Sequence, residues 1–164
     1  MNYDSGMTTK AFSMVSSALL LLCVVGCGGK TQTYDVSVSN DTQTPITVWL
    51  TKDGGPYEKH WRSPEDLAME SPGGSRIAGV KIPAGQSAAT GPIKGKFYEG
   101  AGAILRVYAG DYDFSALLAV SRGSPNRADV PLSPGVNRFS VTRDAKGVVV
   151  KPAEDWIPRE PKPE

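Results

Sequence analysis

The feature that most constrains the fold of this chain is an alternation of apolar and polar residues at every second position. In the segment 46–51, the apolar residues Ile46, Val48 and Leu50 alternate with the residues between them, and the segment 34–39 has the same pattern. Because successive side chains of a β-strand point to opposite faces, this spacing predicts strands with Ile46, Val48 and Leu50 in a core. Helical periodicity is nearly absent from the chain.

Glycine and proline divide this pattern into short segments. The 164 residues include 18 Gly and 13 Pro, and Pro83-Ala84-Gly85 and Pro134-Gly135 are typical of tight turns. Such closely spaced short strands predict an all-β fold, an antiparallel β-sandwich of which the immunoglobulin-like arrangement is one form. Besides the two segments already described, strands are predicted at 76–82, 87–90, 103–109, 115–121, 129–132, 137–142 and 148–151.

One short helix is predicted within a loop insertion. Ser63 can cap free backbone amides, Pro64 suits the first helical position, and the carboxylates of Glu65 and Asp66 favour the positive end of the helix dipole. The sequence Ser-Pro-Gly-Gly at 71–74 ends this helix after about two turns. We expect the helix to cover part of the sheet.

The N-terminal segment has the layout of a secretory signal. Lys10 precedes an apolar run at 18–25 that is too short to span a bilayer, and the run closes with Val24-Val25-Gly26-Cys27. This ending resembles the bacterial lipoprotein signal, which implies that Cys27 is acylated and becomes the first mature residue. Stable anchoring then needs more than one acyl chain. The alternative is an ordinary secretory signal in which Cys27 is coincidental.

The same resemblance implies a location in the cell envelope, with the membrane as a partner through the lipid on Cys27. In many bacteria with two membranes, Asp directly after the acylated Cys retains a lipoprotein at the inner membrane. Gly28 occupies that position here. The outer membrane is therefore the expected location where the cell has one.

The chain is expected to contain one folded domain. Residues 1–26 are interpreted as the signal peptide, 27–33 as a flexible tether, 34–151 as the β-sandwich and 152–164 as a Pro-rich charged tail. Cys23 would be removed with the signal and Cys27 would carry lipid, so that no thiol remains for a disulfide. The domain must then be held together by core packing alone.

The balance of charge argues against nucleic acid as a partner. Lys and Arg number 18 and Asp and Glu 17, a formal net charge of +1, whereas binding a polyanion requires a basic patch with several phosphate contacts. The densest basic cluster is Lys94, Lys96 and Arg106, which we interpret as a solvated loop.

Catalytic and metal motifs are weak in this sequence, and no catalytic residue and no cofactor are predicted. His60 is the only histidine, which excludes zinc sites built on several histidines. A Ser-His-Asp triad stays formally open, although a surface or packing role for His60 is favoured. Asp111 and Asp113 flank Tyr112 and are weak candidates for a Ca²⁺ site; an ordinary Asp-rich turn is the favoured interpretation.

Aromatic residues offer a candidate ligand-binding surface. Trp49 is predicted on the sheet face opposite Ile46, Val48 and Leu50, and Tyr57 and Trp61 could lie near it. Such rings stack on sugars in carbohydrate-binding modules. The favoured alternative is that the helical insertion covers Trp49 and makes it part of a small second core.

These observations favour a non-enzymatic, lipid-anchored β-sandwich that binds or supports another envelope component, a protein or a glycan. The segment 52–61 is the expected contact surface. A carbohydrate-binding lipoprotein that uses Trp49 or Trp61 is the first alternative, and an envelope hydrolase that uses His60 is the second.

Overall fold

The computed structural model describes residues 28–70 and 79–153. Its strands form two four-stranded sheets that pack face to face, which confirms the predicted all-β sandwich. In chain order the strands are β1 (Lys30–Asn40), β2 (Ile46–Lys52), β3 (Gly79–Ile82), β4 (Ser87–Phe97), β5 (Ala103–Ala109), β6 (Arg127–Leu132), β7 (Gly135–Asp144) and β8 (Gly147–Pro152). Sheet A has the order β4-β1-β7-β8, and sheet B has the order β3-β2-β5-β6.

One strand pair corrects the prediction of a purely antiparallel sandwich. β1 and β7 are parallel, from Tyr34 opposite Gly135 to Asn40 opposite Val141, whereas the other pairs are antiparallel. The reason lies in the connection before β7. β6 ends at Leu132 opposite Ala103, at the end of the sandwich where β1 begins, so that a short crossover to sheet A starts β7 in the direction of β1.

The core between the sheets follows the alternation seen in the sequence. Ile46, Val48 and Leu50 of β2 are buried and face into it, as predicted. They meet residues of β1 and β7 from the opposite sheet, and aromatic residues close one end of the core. The other main contributors are Tyr34, Val36, Val38, Trp61, Ile82, Phe97, Ala103, Leu105, Val107, Phe139 and Val141.

The helix α1 (Pro64–Glu70) confirms the predicted helix in the loop insertion. Ser63 and Asp66 form a reciprocal cap. The Asp66 amide donates to Ser63 Oγ at 3.1 Å, and the Ser63 amide donates to Asp66 Oδ2 at 3.0 Å. This satisfies two backbone donors at the helix start. In the part of the chain that the structure describes, no helix is long and apolar enough to cross a membrane.

The predicted strand at 115–121 is wrong, because this segment begins as a second short helix, α2 (Phe114–Leu118). The Asp113 carboxylate accepts a hydrogen bond from the Ala116 amide at 2.7 Å and caps the first turn. Ala116, Leu117 and Leu118 are good helix formers. The turn buries Leu117 against sheet B, beside Trp49 and Tyr108.

β1 and β4 are longer than the sequence predicts. β1 begins at Lys30, so that residues 30–33 of the expected tether pair with residues 94–97 of β4. Lys94 and Lys96 accordingly lie on a strand and not in a loop. The sequence does not predict these extensions because their apolar pattern is weak. They pair through backbone hydrogen bonds, which any residue except proline can donate.

Several sequence predictions concern residues outside the described ranges. These are the signal peptide, acylated Cys27, the first residues of the predicted strand 76–82 and the tail beyond Ala153. They stay predictions.

Candidate functional site

Trp61 lies in the core between the two sheets and has 0% exposed surface. A 3₁₀ turn over Lys59–Trp61 carries it there, beside the end of β2 that lies beyond residues 46–49, with which the described part of β3 pairs. Trp61 Nε1 donates to the Lys94 carbonyl at 3.0 Å. Gly95 makes room for the ring, because a Cβ at this position would lie 2.6 Å from Trp61 Nε1.

Trp49 lies on the outer face of sheet B but is only 3% exposed. It forms a second hydrophobic cluster with Tyr108 and Leu117, and its Nε1 donates to the Arg62 carbonyl at 2.7 Å. Gly79 on the neighbouring strand lies under the indole, since a Cβ there would be 2.5 Å from Trp49 Cε3. The rings of Trp49 and Trp61 are therefore covered, and neither presents a face on which a sugar could stack.

Tyr57 is the exposed member of the three aromatic candidates, at 48%. Its loop is held by Glu58, which accepts hydrogen bonds from Lys52 Nζ and from the Lys96 amide, the latter at 2.9 Å. Burial opposes ionisation of Glu58, but these two donors outweigh it and lower the pKa of the carboxyl. Lys52 itself is buried and also donates to the Lys96 carbonyl at 2.8 Å. Tyr57 is thus displayed on an anchored loop.

A hollow of about 380 Å³, which we call the edge cleft, opens between the edge strands β3 and β4. Its walls are mainly aliphatic, and no charged side chain lies among the described residues that line it. The polar side chains that line it are those of His60 and Thr90. The other lining residues are Val36, Val38, Val48, Trp49, Leu50, Val80, Ala88, Ala89, Pro92, Ile93 and Leu105.

The edge cleft exists because β4 departs from regular pairing at its centre. The register of β1 against β4 shifts between Asp35 and Ser37. At this bulge the Val36 amide donates to Thr90 Oγ1 at 3.1 Å, and Gly91 adopts a φ of 63°, which glycine tolerates best. The bulge bends the edge strand locally. This irregularity was not recognised in the sequence, where a weak strand was predicted to end at Thr90.

His60 lies exposed on the rim of the edge cleft. Among the described residues, no hydrogen bond or ion pair joins its imidazole to a serine or a carboxylate. The second and third members of a Ser-His-Asp triad are therefore not in place around it.

Asp111 and Asp113 have separate structural roles. Asp111 forms an ion pair with Lys81, whereas Asp113 caps α2. Within residues 28–70 and 79–153, no group of three or more His, Cys, Asp or Glu side chains is arranged to hold a metal ion.

An ionic cluster on the outer face of sheet B was missed by the sequence analysis. Arg106 Nη1 donates to Glu65 of α1 at 2.7 Å, and Arg127 Nε and Nη2 donate to the two oxygens of Asp129 at 2.9 Å each. Burial disfavours ionisation of Glu65 and Asp129, yet both carboxyl pKa values are lowered: that of Glu65 by a backbone amide hydrogen bond and by Arg106, and that of Asp129 by Arg127. The cluster fastens α1 to β5 and β6. Arg106 is directly opposite Asp129 in the strand register, a pairing that only the topology reveals.

The described chain begins at the end of the sandwich that also carries Tyr98, which is 44% exposed. Gly29 packs there so closely that a Cβ would lie 2.9 Å from the Phe97 carbonyl oxygen and 3.0 Å from Tyr98 Cδ1. A hollow of about 540 Å³ at this end is lined by residues 28–30, Gln32 and residues 97–101. Cys27 is the next residue toward the N-terminus.

Comparison with known proteins gives a weak similarity to solved structures. No family model matches the chain, and no curated protein matches it. A solved structure that resembles it is the crystal structure of the T6SS lipoprotein TssJ1 from Pseudomonas aeruginosa, with 11% sequence identity and a TM-score of 0.35, over 82% of this chain and 100% of that chain. A TM-score this low carries no argument about a shared function.

Proposed function

We propose that the protein is a lipid-anchored module of the cell envelope that acts by binding another envelope component and not by catalysis. The observation that supports the anchor is the sequence Val24-Val25-Gly26-Cys27 placed directly ahead of a folded domain whose first strand begins at Lys30. Acylation of Cys27 would place the lipid at the first mature residue. Gly28 in the next position favours the outer membrane where the cell has one.

A binding role is favoured over catalysis by the way the polar side chains are used. His60 has no serine or carboxylate partner in the described residues, Asp113 caps a helix and Asp111 pairs with Lys81. The buried charges of Lys52 and Arg127 hold loops and strands together. A structural role accounts for the position of each of the side chains of Asp111, Asp113, Lys52 and Arg127.

The edge cleft is the proposed binding site. It is aliphatic, it lies between two edge strands, and Val80 on its β3 side is 45% exposed. Edge strands carry backbone groups that can pair with an incoming strand. The ligand chemistry that fits is an extended segment of another envelope protein that runs along the cleft and inserts an apolar side chain into it.

The anchor is tested by labelling cells with a clickable fatty acid and separating membranes from soluble protein. We expect label and membrane recovery for the natural chain, and loss of both in Cys27→Ala. Cys23→Ala is the matched control, because this cysteine lies within the signal and should leave both unchanged. Unlabelled natural protein, or full membrane recovery of Cys27→Ala, would overturn the proposed anchor.

The binding site is tested with a photocrosslinking residue at Ala89, an exposed position in the edge cleft. We expect a discrete protein adduct in intact cells that is lost in Val80→Lys, because an ammonium at the cleft would oppose insertion of an apolar side chain. Val136→Lys, at an exposed valine of sheet A, should keep the adduct. An adduct that survives Val80→Lys, or none at all, argues against the cleft as the site.

A further inference from the structure

We infer that the end of the sandwich where β1 begins lies against the phospholipid surface, with Tyr57 and Tyr98 among the lipid headgroups. The strands then stand away from the bilayer and the edge cleft faces sideways. This inference rests on the proposed lipid on Cys27. It adds which surface of the domain contacts the membrane.

The short reach between the lipid and the fold carries the first step. Gly29 is packed against Phe97 and Tyr98, and β1 begins at the next residue. Consecutive Cα atoms are about 3.8 Å apart, so that Cys27 lies within about 7 to 8 Å of the packed Gly29. A lipid on Cys27 must enter the bilayer within that distance of the sandwich. The chain from Cys27 to the start of β1 at Lys30 is too short to let the domain move far from the bilayer surface.

The neighbouring loops at this end present aromatic surface. We call the anchor end the group formed by residues 28–30, 53–58 and 98–102. Among the described residues, four large hydrophobic side chains are exposed, and two of them, Tyr57 and Tyr98, belong to the anchor end. Tyrosine is enriched at membrane interfaces, where its ring lies among apolar groups and its hydroxyl in water. These two rings are suited to the headgroup layer beside the anchor.

The anchor end carries charges of both signs, with acidic groups in slight excess. Lys30 is accompanied by Asp53 and Glu99, and Glu58 is paired with Lys52. A surface of this kind is not attracted to anionic lipid over long distances, and its contact depends on the aromatic rings and the covalent anchor. We therefore expect the contact to form on zwitterionic lipid and to resist salt.

Hydrogen bonds between loop and strand residues hold the anchor end in place. Glu58 accepts from Lys52 Nζ of β2 and from the Lys96 amide of β4, so that the loop carrying Tyr57 is tied to both sheets. The eleven residues of β1 extend over roughly 33 Å at about 3.3 Å per residue. The turn before β8, which contains Lys146, lies at the opposite end of the sandwich and would stand about that far from the surface.

Spin labels on the complete lipidated protein in phosphatidylcholine vesicles test this arrangement. With Cys23 removed and Cys27 acylated, an introduced cysteine is the sole free thiol. Labels are attached through Glu99→Cys at the anchor end, Lys146→Cys at the far end and Val80→Cys at the edge cleft. The measured quantity is the accessibility of each label to oxygen relative to a water-soluble nickel chelate.

We expect this accessibility ratio to be severalfold higher at position 99 than at 146 and 80, and to change little with added salt. Adding Tyr57→Ser and Tyr98→Ser together should lower the ratio at 99 while circular dichroism stays native, because both rings lie outside the core. Equal ratios at 99 and 146, or the highest ratio at 80, in protein whose mass includes the lipid would overturn the orientation and leave the anchor standing. A mass without lipid would overturn both.

Discussion

The outer faces of the two sheets differ in their side chains and in how far these are exposed to solvent. Sheet A exposes polar and charged side chains such as Thr33, Lys94 and Arg138 to solvent, and Val136 is exposed among them. Sheet B carries Trp49 and Tyr108 on its outer face, and both are buried under the helical segments. The comparison shows that an alternating strand does not by itself define one core. Where its outward positions are large aromatics, other parts of the chain must cover them.

The largest effect expected from this difference is on unfolding. Trp49→Ala should lower the free energy of unfolding by about 3 to 5 kcal/mol, because it empties the second cluster. Val136→Ala, on the exposed face of sheet A, should change it by less than about 0.5 kcal/mol. Urea denaturation followed by circular dichroism measures both. Similar values for the two variants would remove the distinction between the faces.

A smaller effect is expected at Gly79. Gly79→Ala should destabilise the domain by about 1 to 3 kcal/mol, since the new methyl group meets the Trp49 ring and forces repacking. Gly102→Ala is the matched control, because a Cβ there has nothing within 4 Å. Thermal unfolding of the two variants gives the comparison. An unaffected Gly79→Ala would mean that the indole does not lie on this strand.

The burial of Trp49 and Tyr108 under the helical segments depends on the start of α1. Ser63→Ala should cost about 1 kcal/mol, because it leaves the Asp66 amide without its side-chain acceptor. We expect faster amide hydrogen exchange in α1 and unchanged exchange in sheet A. Ser121→Ala, an exposed serine after α2, is the control. Exchange that rises equally in both sheets would show that α1 does not open independently of the sandwich.

The smallest effect concerns acid. The pKa values of Glu65 and Asp129 are lowered in the folded state, so that their contribution to stability is present above their ordinary pKa values and is lost as the pH falls through the folded ones. Acid should therefore destabilise the helical segments on the outer face of sheet B before it destabilises sheet A. Carboxyl NMR titration measures the two groups. In Glu65→Gln the part of the acid effect that belongs to Glu65 should disappear, and an unchanged profile would contradict its role.

Much of the fold follows from the sequence because its signals are local. The alternation at 46–51 places Ile46, Val48 and Leu50 in the core, and Ser63 with Pro64 marks a helix start, since both depend on neighbouring residues. The segment 115–121 shows where such reasoning fails. Its residues fit either a strand or a helix, and the contact of Leu117 with Trp49 and Tyr108 favours the helix.

The candidate site was less predictable for the same reason. The position of Trp49 on an outer face follows from the alternation at 46–51, whereas nothing in the polar neighbours of Trp61, His60 and Arg62, indicates that its ring lies between the sheets. The edge cleft depends on a bulge in β4 where it pairs with β1, and the paired residues are more than fifty positions apart in the sequence. The pattern of a few neighbouring residues carries no information about pairing between segments so far apart in the sequence.

The sequence by itself determined the class of fold, the main core of β2, the helix at Ser63 and the resemblance that predicts a lipid on Cys27, because each depends on residues adjacent in the chain. Only the tertiary structure decided that β7 runs parallel to β1, that Trp49 and Trp61 are covered, and that Arg106 meets Glu65. These outcomes depend on which strands become neighbours. Pairing between distant segments is selected by the packing of the whole domain.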